Sequence, residues 1–158
     1  VVERAKMVQS LTNANICIDF NESFGSFDEF QPIYKELSSL EIEFIEQPFP
    51  EHKWDDYEKL MDLGDIDIFL DESIVDQEIT SNLKKYCDGI NVKLMKSGGI
   101  LNAKKQLLKA NELGLKIISV PVISDSPIIL REASALPFLN LTKYFCQIQN
   151  QPQIYLLN

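Results

Sequence analysis

The sequence predicts an α/β fold, a partial TIM-type (β/α) barrel of about six parallel strands with crossover helices, spanning residues 1–158 as one unit. Three observations predict it. Strand-like and helix-like segments alternate along the whole chain, as in a parallel sheet whose helices cover its face. Ionisable residues close successive apolar runs: Asp19 after Ile16-Cys17-Ile18, Glu46 after Phe44-Ile45, Asp71 after Ile68-Phe69-Leu70, and Lys93 after Gly89-Ile90-Asn91-Val92. These four stand 27, 25 and 22 positions apart, about one strand-plus-helix unit each. Charges placed just past buried strands fall on one rim of a parallel sheet, where (β/α) barrels keep their chemistry.

The elements follow in order. A helix up to about Asn13 leads to strand Ile16 to Asp19, and a helix over Asp28 to Leu37 leads to strand Ile42 to Glu46. The helix from Lys53 to Leu63 is closed by Gly64 and precedes strand Ile66 to Asp71, while a helix from Gln77 to Tyr86 precedes strand Gly89 to Lys93. The helix from Gly99 to Leu113 ends at Gly114, in keeping with the preference for glycine just past a helix end. The run Leu115 to Val120, a weaker helix from Ile128 to Ala135, and a last strand at Tyr144 to Ile148 complete the pattern. The repeat is too varied in sequence for a solenoid.

Composition narrows the function. Hydrophobic residues make up 45% and charged residues 25%, the balance of a water-soluble globular protein. Asp and Glu outnumber Lys and Arg by 24 to 15, a formal charge of −9, and no basic cluster exceeds a pair such as Lys84-Lys85. Nucleic acid and anionic membrane are therefore poor partners. Cys17, Cys87 and Cys146 are odd in number and far apart, which reads as buried free thiols in a reducing compartment. No apolar stretch is long enough to span a membrane, and the first residues show no basic n-region followed by an apolar h-region. A cytoplasmic location is expected.

The first residues, Val1 to Val8, are patterned like the inside of an amphipathic helix, with no initiator Met and no N-cap ahead of them. An eight-stranded barrel takes about 250 residues. The chain is expected to be the later part of a longer barrel.

Asp19, Glu46 and Asp71 offer three oxygen ligands on successive strands. A hard divalent cation prefers such a set, and with three protein oxygens octahedral Mg²⁺ keeps positions for water or substrate. Any one of these residues alone reads as a cap of the following helix; three at matched positions favour a metal. Lys93 lies on the same rim. A nearby cation and a second amine, Lys96, disfavour its ammonium form, which suits a general base. The plain alternative is a snorkelling surface lysine. Phe24 and Phe27 either line the mouth of the site or staple the next helix.

Taken together, Asp19-Phe20-Asn21, Glu46-Gln47-Pro48, Asp71-Glu72-Ser73 and Asn91-Val92-Lys93-Leu94-Met95-Lys96-Ser97-Gly98-Gly99 resemble the barrel domain of the enolase superfamily. More narrowly they are similar to its muconate lactonizing enzyme subgroup, with wording nearest the dipeptide epimerases. The resemblance implies Asp19, Glu46 and Asp71 as Mg²⁺ ligands and Lys93 as one acid/base. It also places Asn21, Glu72 and Lys96 around metal and base. The implied reaction removes a proton α to a carboxylate, giving an enediolate whose doubled negative charge a divalent cation stabilises. The expected partner is a small carboxylate-bearing substrate, and a homo-oligomer of the full-length parent is compatible with the family.

The departures bound the activity. The subgroup's second acid/base lysine lies in a KxK motif on an earlier strand, and its N-terminal capping domain contributes specificity; neither is in these 158 residues, so the isolated chain is expected to be inactive. Where dipeptide epimerases carry a DxD pair for the substrate ammonium, this sequence has Gln147 and Gln149, neutral amides that cannot neutralise a charge. Asp125 matches a region that is often acidic in the family, or is a turn residue in Ser124-Asp125-Ser126-Pro127, and Arg131 reads more simply as a surface ion pair. Three readings stay open: a racemase or epimerase of a dipeptide or amino-acid derivative, a cycloisomerase or o-succinylbenzoate synthase-type lyase, and a non-catalytic truncated barrel.

Overall fold

The computed structural model describes residues 1–11, 15–75, 78–93, 96–118 and the backbone of 153–157. Five β/α steps run in order. Helix α1 (Val2–Leu11) precedes β1 (Asn15–Asp19), α2 (Phe27–Leu37) precedes β2 (Ile42–Glu46), and α3 (Trp54–Met61) precedes β3 (Asp67–Leu70). Two 3₁₀ turns, Glu72–Ile74 and Ser81–Lys85, lead to β4 (Gly89–Asn91), and α4 (Ile100–Glu112) leads to β5 (Lys116–Ile118). A last strand, β6, spans Gln153–Leu157. No described helix is long and apolar enough to cross a membrane.

The sheet order is β5-β4-β3-β2-β1-β6. Strands β1 to β5 pair in parallel, each with the next, as the crossovers require. This is a partial (β/α) barrel. The sixth described strand departs from expectation: β6 runs antiparallel to β1, with Asp19 opposite Gln153 and Asn15 opposite Leu157. The expected strand at Tyr144 to Ile148 and the helix from Ile128 lie outside the described residues, as do Asp125, Arg131, Gln147 and Gln149.

Period-two alternation splits each strand between two faces. Ile16 and Ile18, Ile45, Ile68 and Leu70, Ile90 and Val92, and Ile117 join the helices in one hydrophobic core with Phe30, Tyr34, Leu60 and Leu107. The alternate positions carry Cys17 and Asp19, Phe44 and Glu46, Phe69 and then Asp71, and Gly89, Asn91 and Lys93. On that second face Phe44 and Phe69 pack with ring centroids 4.5 Å apart. A Cβ on Gly89 would fall 2.3 Å from the Phe69 ring and 2.8 Å from the Lys116 carbonyl oxygen, so glycine is what lets the ring sit there.

Local chemistry fixes the helix ends. Ser26 caps α2 by accepting a hydrogen bond from the Glu29 amide, and Asp56 of α3 accepts one from the Phe27 amide at 3.1 Å, tying the two helix starts together. Helix α4 follows Gly98 and Gly99, at φ 71° and 113°, conformations that side chains rarely adopt. Phe24 and Phe27 turn out to be packing residues. Phe24 lies 4.8 Å from Phe30 and 5.3 Å from Phe20, and Phe27 is buried in the core.

One expected helix is corrected. Between β3 and β4 an α-helix from Gln77 to Tyr86 is expected, but Thr80 is extended (φ −120°, ψ 166°) and a five-residue 3₁₀ turn follows. Ile79 and Leu83 are both buried without a full helix. So short a segment is well served by i→i+3 bonds.

Candidate active site

The rim beyond the C-terminal ends of β1 to β4 gathers Asp19, Glu46, Asp71, Asn91 and Lys93. Strand pairing sets this convergence. Asp19 is opposite Glu46 in the ladder, and the ladder continues past the strand ends through the Phe20 amide to the Glu46 carbonyl (2.9 Å) and the Gln47 amide to the Phe69 carbonyl (2.9 Å). Asp19, Glu46 and Asp71 are all nearly fully buried, at 1%, 2% and 1% exposure. Few carboxylates are found so buried without a strong reason.

Each carboxylate is held by its neighbours. The Asn21 amide donates to Asp19 Oδ1 at 2.9 Å from a left-handed turn in which Asn21 and Glu22 have φ 44° and 59°. Asn91 Nδ2 donates to Glu46 Oε1 at 2.7 Å. Lys93 Nζ pairs closely with Asp71 Oδ2 and stands 3.9 Å from Glu46 Oε1. Lys96 Nζ donates at 2.9 Å both to Asp71 Oδ2 and to Glu72 Oε1. The structure thus brings Asp19, Glu46, Asp71, Lys93, Lys96, Glu72 and the Asn21 backbone together.

Gln47 and Asn91 are functional candidates that sequence reasoning missed. Gln47, itself at φ 40°, accepts at Oε1 from the Asp71 and Ser73 amides and donates from Nε2 to Ser73 Oγ and the Phe49 carbonyl. It therefore fixes the backbone of Asp71. The available signal was positional: Gln47 directly follows Glu46, and Asn91 lies two residues before Lys93, on the same face of its strand.

The electrostatics are strained. Burial pushes the Asp19 carboxyl up to about 6, with Glu72 and Asp71 adding to the shift against the Asn21 amide and Lys93. Burial, then Asp19 and Asp71, pushes Glu46 well above the usual carboxylate range, and burial raises Asp71 despite Lys93. Burial also raises Glu72, but Lys96 outweighs it and leaves that carboxyl lowered. For Lys93 the expected loss of charge is reversed: burial disfavours the ammonium, but Asp71 and Glu46 outweigh it and hold the proton more tightly than in water. By formal charge, two ammonium groups face the four carboxyls of Asp19, Glu46, Asp71 and Glu72, an excess of two negative charges when all four ionise.

These residues fit a hard divalent cation. The donors are carboxylate oxygens, the formal charge excess matches, and Asp71 Oδ1 and Glu72 Oε2 are buried with no hydrogen-bond partner among the described residues. As placed, no three His, Cys, Asp or Glu side chains among the described residues stand close enough to enclose an ion; the Lys93 ammonium lies against Asp71 and near Glu46. A hollow of about 550 Å³ opens beside the rim between the 3₁₀ turns and α4, lined by residues including Glu78, Lys105 and Lys109, and the rim carboxylates are not among its described lining.

The model of the enolase C-terminal domain-like family matches residues 1–147. The chain belongs to that family. Among curated relatives of this enolase-type barrel, an L-Ala-D/L-amino acid epimerase of Flavobacterium johnsoniae is 31% identical over 115 residues, covering 73% of this chain and 34% of the relative. The chain spans about a third of the length of the curated relatives it matches. A solved enolase family member from Agrobacterium tumefaciens with homology to dipeptide epimerases, holding sodium and L-Ala-L-Glu, superposes with a TM-score of 0.76 at 28% identity, over 90% of this chain and 42% of that one. The Enterococcus faecalis dipeptide epimerase, complexed with Mg and L-Leu-L-Tyr, gives 0.69 at 25% identity over 75% and 34%. Epimerases thus recur among the relatives of this enolase C-terminal-like chain.

Proposed function

We propose that this chain carries the cation-binding side and one acid/base of an active site that removes a proton α to a carboxylate, within a racemase or epimerase acting on a dipeptide or amino-acid derivative. Asp19, Glu46 and Asp71 hold Mg²⁺, and Lys93 transfers the proton. The observation that carries this reading is three buried carboxylates on successive parallel strands, in excess of the lysines that face them. Mg²⁺, when bound, supplies positive charge to stabilise the substrate carboxylate as negative charge builds on it. Asn21 and Gln47 hold the Asp19 side chain and the Asp71 backbone in place, while Lys96 anchors Asp71 to Glu72. Lys93 lies on the same face of the rim and is the amine positioned to take or return the α proton. A cation held by Asp71 and Glu46 would offset the charges that hold Lys93 protonated, which would couple metal and base.

The test uses the full-length parent. Lys93→Ala is expected to abolish α-proton exchange into D₂O from one stereoisomer across a panel of dipeptides and N-acylated amino acids. Persistent exchange would remove Lys93 from the mechanism. Product formation only from muconate-type or succinylbenzoate precursors would replace epimerisation by cycloisomerisation or dehydration.

A further inference from the structure

Asn91 is 1% exposed and lies at the end of β4, two residues before Lys93 and on the same face. Its Nδ2 donates to Glu46 Oε1 at 2.7 Å, and Lys93 Nζ stands 3.9 Å from that same oxygen. A cation would need Glu46 ionised, and an ionised carboxylate only accepts hydrogen bonds, so the amide serves that state by presenting its nitrogen to Glu46 and turning its oxygen away. Among the described residues that Oδ1 is buried with no hydrogen-bond partner, as is Asp71 Oδ1. Both residues line one recess of about 10 Å³, beside Lys93, Lys96 and Ser97.

A side chain retained for packing alone would not leave a buried acceptor unpaired, because such a group destabilises the fold. An apolar residue of similar volume would serve packing better. The feature that only an amide here supplies is the donor aimed at Glu46 Oε1, 2.7 Å away, where the Lys93 ammonium stands off at 3.9 Å. Resting on the function proposed above, we infer that Asn91 is a positioning residue of the carboxylate rim: it fixes the Glu46 carboxylate in the orientation that receives the cation. It acts through Glu46.

Asn91→Leu keeps the volume and removes both polar atoms, while Asn91→Ala removes the volume as well. Both variants are expected to bind Mg²⁺ about 10- to 100-fold more weakly by titration calorimetry, the usual effect of losing an outer partner of a metal ligand. The metal-free thermal midpoint of Asn91→Leu should stay close to that of the unaltered protein, since loss of the unpaired Asn91 acceptor offsets leaving Glu46 Oε1 without its donor. Unchanged Mg²⁺ affinity in Asn91→Leu overturns the inference and leaves Asn91 a packing residue. A metal-independent measurement separates this from failure of the proposed function. The Asn91 side-chain amide resonances of the metal-free protein should exchange slowly and shift in Glu46→Ala; amide protons indifferent to Glu46 overturn the inference even if Mg²⁺ binds. If the unaltered protein takes up no Mg²⁺ but those protons depend on Glu46, the metal reading falls and the Asn91 to Glu46 contact stands.

Discussion

The same parallel strands end in two rims of opposite character. At the N-terminal rim Asn15 donates to Glu43 at 2.9 Å, Lys116 pairs with Asp67, and Asp88 accepts from the Ile68 amide at 2.9 Å. These groups are exposed or half-buried, and Lys116 and Asp67 are 44% and 29% exposed. At the C-terminal rim the carboxylates are buried, more numerous than the lysines, and raised in pKa by that burial. Water screens the first set at little cost, whereas the second costs stability unless a cation joins it. On the function proposed above, the difference separates a rim that serves the fold from one that would serve chemistry.

The sharpest way to break this contrast uses one strand. Glu46→Gln, at the buried end of β2, should weaken Mg²⁺ binding by at least about 100-fold, as expected when one of three charged ligands becomes a neutral amide. Its metal-free midpoint should not fall, because repulsion with Asp19 and Asp71 is relieved. Glu43→Gln, near the other end of β2, should leave Mg²⁺ affinity unchanged. Equal effects of the two substitutions in calorimetry would erase the distinction between the rims.

Gly89→Ala probes the packing beneath the chemical rim. The added methyl meets the Phe69 ring and the Lys116 carbonyl, so denaturant unfolding should show a loss of about 1–3 kcal/mol from overpacking. A neutral outcome would mean that this layer yields freely.

Acidity offers a third discriminator. A carboxyl whose pKa is raised by folding stabilises the folded state at low pH and loses that contribution as pH climbs through the folded value. For Asp19 the window runs from about 4 to about 6, with Glu46 and Asp71 shifted in the same direction. The metal-free thermal midpoint should therefore decline across this window. Mg²⁺ needs the ionised forms, so it should raise the midpoint far more at pH 8 than at pH 5; an equal rise at both would place the cation elsewhere. The smallest effect is expected from Lys116→Ala, about 0–1 kcal/mol for an exposed pair, with the cost shrinking in high salt.

Much of this was legible in the sequence because burial and periodicity are local signals. Strand β2 is found at the predicted Ile42 to Glu46, and Gly114, expected to close α4, has φ 69°. Asp19, Glu46, Asp71 and Lys93 share a rim, as their placement after apolar runs implied. Local pattern failed where long-range terms decide. The helix expected before β4 is a 3₁₀ turn because burying Ile79 and Leu83 needs no more, and β6 pairs antiparallel with a strand more than a hundred residues earlier in the chain.

The sequence by itself determined which residues sit at strand ends, because the period of two and the apolar runs set that without reference to the rest of the chain. Only the tertiary structure decided how those residues meet. Lys93 remains an ammonium because Asp71 and Glu46 arrive beside it from two other strands, and Asn91 and Gln47 matter because each reaches across the sheet to a carboxylate or to its backbone. Coulomb energy and hydrogen bonding depend on distance in space, and strand pairing, which sets those distances, is written only in the folded chain.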